Sequence, residues 1–236
     1  MAAAVRVRIQ SLSLVDILAG LCLVASVASP WAISIPPAHL VESFGFQTPL
    51  CWLVVAALIG AVLLKGRAAI VALAAAELAV IGWFGWAMWV ATTPRFTSLG
   101  FPFIGTDLIG PGWYAAAVGL LVVGGVVVKK LNHRDVPVGW DLWVVTAIPG
   151  YGLARLGQWG RGLMWTVLVA AAFYFASTDS PDPAQFLEFG RTGNVPTSYP
   201  RSPEWVLLTV AALLWLAAIA LTALQQRRRL GVIDHA

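Results

Sequence analysis

The chain has 236 residues, 59% of them hydrophobic and only 11% charged, with a mean hydropathy of +0.81, whereas soluble domains carry about 25% charged residues, so an ordinary water-soluble fold is excluded. Lipid offers backbone groups no partner, and the apolar runs are too long and too little alternating for barrel strands, which leaves an all-α polytopic membrane bundle. The formal charge of +4 is expected to mark cytoplasmic loops; nucleic acid is not an expected partner, because no aromatic residues interleave the basic ones.

The first span is predicted from about Leu12 to Ile33. Arg6 and Arg8 precede it in the manner of a signal peptide, but Pro30 suits a cleavage site badly, and an uncleaved span is expected. Ser13 and Asp16 have the S-x-x-D spacing of a capping box, and a carboxylate in a first helical turn is favoured by the free N–H groups there, so Asp16 is read as a cap in preference to an ion ligand. Ser29, Pro30 and Trp31 close the span. A loop from Ile35 to Thr48 carries His39 and Glu42, three residues apart; with no third ligand they are expected to be solvated, and no metal is expected. Cys22 and Cys51 lie in or beside spans without CxxC spacing, so neither a metal cluster nor a disulfide framework is indicated.

The second span is predicted over Pro49 to Leu64 and the third over Ala68 to Thr92, joined by the very short turn Lys65-Gly66-Arg67. About 20 apolar residues at 1.5 Å rise cross the ~30 Å hydrocarbon layer, and the third run meets that need while carrying one carboxylate, Glu77. Its C-terminal Trp83, Phe84, Trp86 and Trp89 are expected at an interface. A Gly-, Pro- and Phe-rich loop, Thr93 to Gly110, precedes the fourth span, Pro111 to Val128. Ala115, Ala116, Ala117, Gly119, Gly124 and Gly125 give that span small faces, which place it in the middle of the bundle. Lys129, Lys130, His133 and Arg134 follow, expected as a solvated orientation signal rather than a lipid-phosphate contact. A boundary is expected here, dividing a four-span unit, 1–134, from the remainder, 135–236.

The run Val138 to Gly152 is broken by Pro149, Gly150 and Gly152 and predicts a re-entrant or interfacial element, because broken backbone at membrane depth is tolerated where protein covers it. The fifth span is predicted from about Gly162 to Ser177. A polar loop, Thr178 to Glu204, follows, within which AQFLEF is expected as a short surface helix. The sixth span runs over Trp205 to Leu224, with Trp215 packed mid-span, and leads into Arg227, Arg228 and Arg229. With six crossings, twelve of the fifteen basic residues fall on one side and only Arg95, Arg191 and Arg201 on the other. That asymmetry predicts that both termini lie in the cytoplasm. Each helix returning from outside opens with a proline near a tryptophan (Pro49 and Trp52, Pro111 and Trp113, Pro203 and Trp205), a pairing suited to a first turn at the interface.

Within the broken segment, IPGYGLARLGQWGRGL resembles the opening motif of small prokaryotic hairpin membrane proteins, roughly Pro-Gly-x-Gly, four residues, Gly-Gln, then Arg-Gly-Leu. The matching positions are Pro149, Gly150, Gly152, Gly157, Gln158, Arg161, Gly162 and Leu163. The likeness covers about 40 residues with the following span and departs from the pattern at Leu153 and Arg155, where Gln and an aromatic are usual. It implies a two-helix membrane hairpin without established chemistry. The first four spans loosely resemble four-helix membrane proteins of high-GC Gram-positive bacteria. From the residues themselves, glycines 150, 152 and 157 allow a sharp reversal that the neighbouring arginines hold at the cytoplasmic surface.

Glu77 is the sharpest functional candidate: an ionisable residue about ten positions into a span faces a cavity or a partner. It is expected to be a proton or cation site, or an interhelical partner, the alternative being a protonated side chain hydrogen-bonded to a neighbouring helix. The spans hold no histidine, and no serine–histidine, paired-aspartate or metal-binding constellation is visible, so neither an enzyme nor a cofactor is expected. The leading expectation is a non-enzymatic subunit or scaffold that contacts lipid and other membrane proteins or copies of itself; the alternative is a small transporter or channel whose path includes Glu77 and the segment around Pro149.

Overall fold

In the computed structural model the described residues are 14–32, 43–92, 109–134, 136–177 and 204–233, and they are helical apart from a short strand pair and the connecting turns and loops. Helix α1, Leu14–Ala28, ends five residues short of the expected Ile33. Pro30 ends it, and Pro30–Ala32 (β1) instead pairs antiparallel with Ser43–Phe44 (β2), while Ala32 bridges to Ile109. A 3-10 turn, Gly45–Gln47, leads into α2, Pro49–Leu63. Gly66, at φ +61°, makes the reversal into α3, Arg67–Thr92. Helix α4, Pro111–His133, starts like α2 with proline in its first turn, where the missing N–H has no helical partner to lose. Then come α5, Asp141–Ala147, α6, Tyr151–Arg155, α7, Trp159–Ser177, and α8, Glu204–Ile233, which runs nine residues beyond the expected Leu224 and carries the three arginines as helix.

Helix α4 lies in the middle, against α1, α2, α3 and α6. Its small residues are what permit this: Gly119 sits beside Cys22 and Leu58, leaving room for two helices on one face. The core runs through Leu58, Ile70, Leu73, Val123, Val127, Leu142, Val145 and Ile148, so the first four helices and α5 share one apolar interior. Helices α7 and α8 pack chiefly on each other.

Two sets of contacts fix the helix directions. At one end the strand pair joins the end of α1 to the starts of α2 and α4, with Gly45 N–H donating to Ser29 O (3.0 Å) and Gly110 N–H to Trp31 O (2.9 Å). Phe84 of α3 lies 5.8 Å from Trp113 and 6.0 Å from Phe173, which lies 6.4 Å from Trp215, bringing α3, α7 and α8 toward the same end. At the other end Lys130 Nζ donates to Val62 O (2.7 Å) and Arg229 to Leu156 O. Consecutive long helices therefore alternate in direction, and every lysine and arginine among the described residues lies at this second, basic end.

Four helical stretches, Arg67–Trp89, Pro111–His133, Trp159–Ala176 and Leu207–Arg229, are long and apolar enough to cross a membrane. By length and composition the chain is a membrane protein. Helices α1 and α2, at 15 residues each, are apolar but about 22 Å long at 1.5 Å per residue.

Candidate functional site

The segment around Pro149 is a helical hairpin folded against the bundle. Helix α5 leaves the basic end and stops at Ile148 and Pro149. Gly150, at φ +80°, turns the chain into α6, which returns to that end. The turn packs against the interior of α4: Tyr151 Oη donates to Leu121 O (2.5 Å), and Ile148 and the Tyr151 ring occupy the space a side chain at Gly124 would need. Leu121 precedes Asn132, the α4 residue beside the foot of the hairpin, by eleven positions, which is about 16 Å along the helix.

The motif glycines have distinct jobs here. A Cβ on Gly150 would run into the Gly162 carbonyl, and one on Gly162 would lie 2.6 Å from the Gly150 carbonyl, so the turn and α7 meet backbone to backbone. Thr166 Oγ1 donates to the freed Pro149 carbonyl (2.5 Å). Gly152 is wedged between Thr146 and Thr222, joining α6 to α8. Gly157, at φ +81°, ends α6, and the Gln158 N–H closes the turn on Leu153 O (2.9 Å). At the start of α7 the Arg161 side chain donates to that of Gln158, Nη1 lying 3.4 Å from Oε1.

Arg155 differs from the sequence reading. It does not hold the reversal at a water-facing surface; it is 5% exposed and locks the foot of the hairpin from within. Its Nε donates to Asp141 Oδ2 (2.8 Å), Nη1 to Asn132 Oδ1 (2.8 Å), and Nη2 to the carbonyls of Val136 (2.7 Å) and Pro137 (3.3 Å). Asn132 Nδ2 donates to Ala154 O (3.0 Å), and Asp141 Oδ1 accepts from Gly139 N–H (2.9 Å). A guanidinium suits this place because its planar fork serves several fixed acceptors at once. The only local hint was the departure from the motif at position 155; the partners come from positions 132 to 141 and no spacing rule joins them.

Glu77 sits on the α3 face that also bears Leu73, Ala76 and Val80. It is 5% exposed, and its Oε1 has no hydrogen-bond partner among the described residues. The chain's own helices cover it. Glu77 is not part of the Arg155 network, and no group of three His, Cys, Asp or Glu side chains is gathered among the described residues.

A second buried polar cluster at the strand end had no motif to announce it. Trp31, expected at a span boundary, is fully buried; its Nε1 donates to Ser26 O (2.9 Å), with Ser26 Oγ at 3.2 Å, and Cys51 Sγ lies 3.7 Å from Ser26. Trp83 turns inward to meet Trp31 edge-on at 5.5 Å, and the half-buried Trp113 donates to Val80 O (3.0 Å), so both pack against neighbouring helices near the strand end. Trp86 and Trp89 are exposed. Ser13, His39, Glu42, most of the loop before Ile109, the loop with AQFLEF and the Asp16 side chain lie outside the described residues. No protein-family model, curated protein or solved structure matches this chain.

Proposed function

We propose that the chain is a non-enzymatic membrane subunit or scaffold of a prokaryotic cytoplasmic membrane, crossing six times with both ends in the cytoplasm and binding other membrane proteins through α7 and α8. The carrying observation is the uneven cover of the long helices. In α3 and α4 44% of the spanning residues are buried within the chain, but in α7 only 22% and in α8 only 17%. Large apolar side chains such as Leu163, Val167, Leu213 and Leu216 stand free along the α7–α8 pair. Alternating helix directions and the gathering of basic residues at one end support the six-span, termini-inside topology. The depth reached by Tyr151 supports a re-entrant α5–α6, and the likeness of 149–163 to hairpin proteins fits α7 and α8 acting as a two-helix unit.

The test is photo-crosslinking in the membrane from Leu168 and Leu213 on this pair, compared with Leu18 and Leu21 on α1. Discrete protein adducts from the pair and lipid adducts from α1 are expected; lipid adducts from all four positions would overturn the reading. The transporter reading has one observation in its favour, the unpartnered Oε1 of Glu77, since an intramembrane carboxyl is retained where it meets a proton, an ion or a partner. Solute or ion flux in proteoliposomes that Glu77→Gln abolishes would favour it instead.

A further inference from the structure

At the basic end a cavity of about 220 Å³ opens between the α2–α3 turn and the last turn of α4. Its floor is apolar, formed by Ala61, Ala69, Val127 and Leu131, and its rim carries Lys65, Lys130 and Arg134. Among the described residues none of the three has a carboxylate partner: the one ion pair there is Arg155 with Asp141. Lys130 gives one N–H to the Val62 carbonyl near the end of α2, and an ammonium has two more to give. Cations above a greasy floor, where apolar helices meet water, match a molecule with an anionic head and an apolar body.

We propose that this cleft binds the phosphate of an anionic phospholipid, with Lys65, Lys130 and Arg134 around the headgroup and the upper acyl chain against the exposed side chains of Leu64 and Val136 at its mouth. Basic pockets between helices at the cytoplasmic face are suited to such headgroups. The inference rests on the membrane reading of the fold and is independent of whether α7 and α8 bind a protein.

The test uses the full chain in phosphatidylcholine bilayers with and without phosphatidylglycerol, counting retained anionic lipid by native mass spectrometry. Lys65 and Arg134 are exposed, so the double variant Lys65→Gln/Arg134→Gln is expected to fold. At about 1 kcal/mol per basic residue it should weaken phosphatidylglycerol binding by about 30-fold. The variant Arg227→Gln/Arg228→Gln removes the same charge from α8, outside the cleft, and is expected to leave binding within about threefold, since screening limits its reach. Equal loss in both variants would overturn the proposal in favour of a diffuse basic face, and undiminished binding in the first would overturn it outright. Inorganic phosphate stabilising the lipid-free protein as well as phosphatidylglycerol does would replace the lipid with a free anion. Failure of either double variant to insert would count against the membrane topology instead, and Lys65→Gln alone, on the exposed turn, then decides, with a fivefold weakening expected and no change overturning the proposal.

Discussion

The two ends of the bundle are each tied by a buried polar cluster, and they are tied with different chemistry. At the strand end the tie is neutral: the Trp31 indole, the Ser26 carbonyl and hydroxyl, and the Cys51 thiol, closed over by Gly45, Gly110 and Gly112, which press against the backbone from Ser26 to Trp31. At the basic end it is charged: Arg155, Asp141 and Asn132, with two backbone carbonyls completing the guanidinium's shell. The neutral tie holds helices by letting backbones approach; the charged one fastens the foot of a short hairpin to the non-helical backbone at Val136 and Pro137. Where glycine allows close packing, dispersion and a few hydrogen bonds suffice. Where the chain enters and leaves at the same surface, a multidentate cation gathers loop carbonyls that no helix satisfies.

The difference is largest when one partner is removed. Asp141→Ala leaves the Arg155 guanidinium buried without its counter-charge and is expected to destabilise by about 3–5 kcal/mol. Thermal unfolding in mild detergent should show a loss that added salt does not change, because a buried pair is poorly screened. Arg155→Lys should lose most of the same stability, since a compact ammonium cannot span the fork of acceptors. A loss below about 1 kcal/mol, the size expected of an exposed pair, would show that the foot of the hairpin is open to water.

Next in size are the glycines. Gly150→Ala meets two penalties, a positive φ and a Cβ driven into the Gly162 carbonyl, and is expected to cost about 2 kcal/mol or more. Gly112→Ala at the other end places its Cβ 2.6 Å from both the Ser29 carbonyl and Trp31 Cδ1 but needs no positive φ, so it should cost less. Cysteines placed at Ile148 and Val136 provide the readout for α5–α6: Gly150→Ala should raise the modification of Ile148 by a water-soluble maleimide and leave Val136 unaffected. Unchanged modification at Ile148 would mean that the turn is not held by the Gly150–Gly162 approach.

Much of this framework is visible in the sequence, and the limits are instructive. Prolines 49 and 111 mark helix starts to the residue, because a first-turn proline acts locally. The small faces of the fourth span correctly place α4 among its neighbours, since close approach depends on side-chain size alone. Charges misled for the opposite reason. Lys129, Lys130 and Arg227 to Arg229 look like stops, but the helices run on past them, as side chains at a helix end reach water without ending the backbone ladder. Arg155 looks like its neighbours in sequence and becomes internal only through Asn132, Val136, Pro137 and Asp141. Trp31 likewise turns inward because β1 pairs with β2, an association between distant short segments that neither apolar length nor charge encodes.

A smaller effect separates the neutral tie from ordinary packing. Trp31→Phe keeps the apolar ring but removes the Nε1 donor, leaving the Ser26 carbonyl short of a partner at full burial, and is expected to cost about 1–2 kcal/mol. Trp83→Phe in the same contact is the comparison: Trp83 Nε1 is buried and has no partner among the described residues, so losing it should cost little beyond ring area. Equal losses in thermal unfolding would mean that the strand end is held by aromatic packing and that the Ser26 hydrogen bonds add nothing.

Glu77 belongs to neither tie, and for that reason it gives the smallest expected change. Its Oε1 is buried without a partner among the described residues, so replacing it by an apolar side chain of similar size removes a desolvation penalty and few hydrogen bonds. Glu77→Leu is therefore expected to leave stability unchanged or to raise it by up to about 2 kcal/mol. The same variant, folded and at least as stable, separates the two readings of Glu77: loss of flux or of a bound partner would place function at this carboxyl, and their retention would leave it a packing residue. Destabilisation by Glu77→Leu as large as that of Asp141→Ala would place a third structural tie in the middle of the bundle and remove the reason to seek function there.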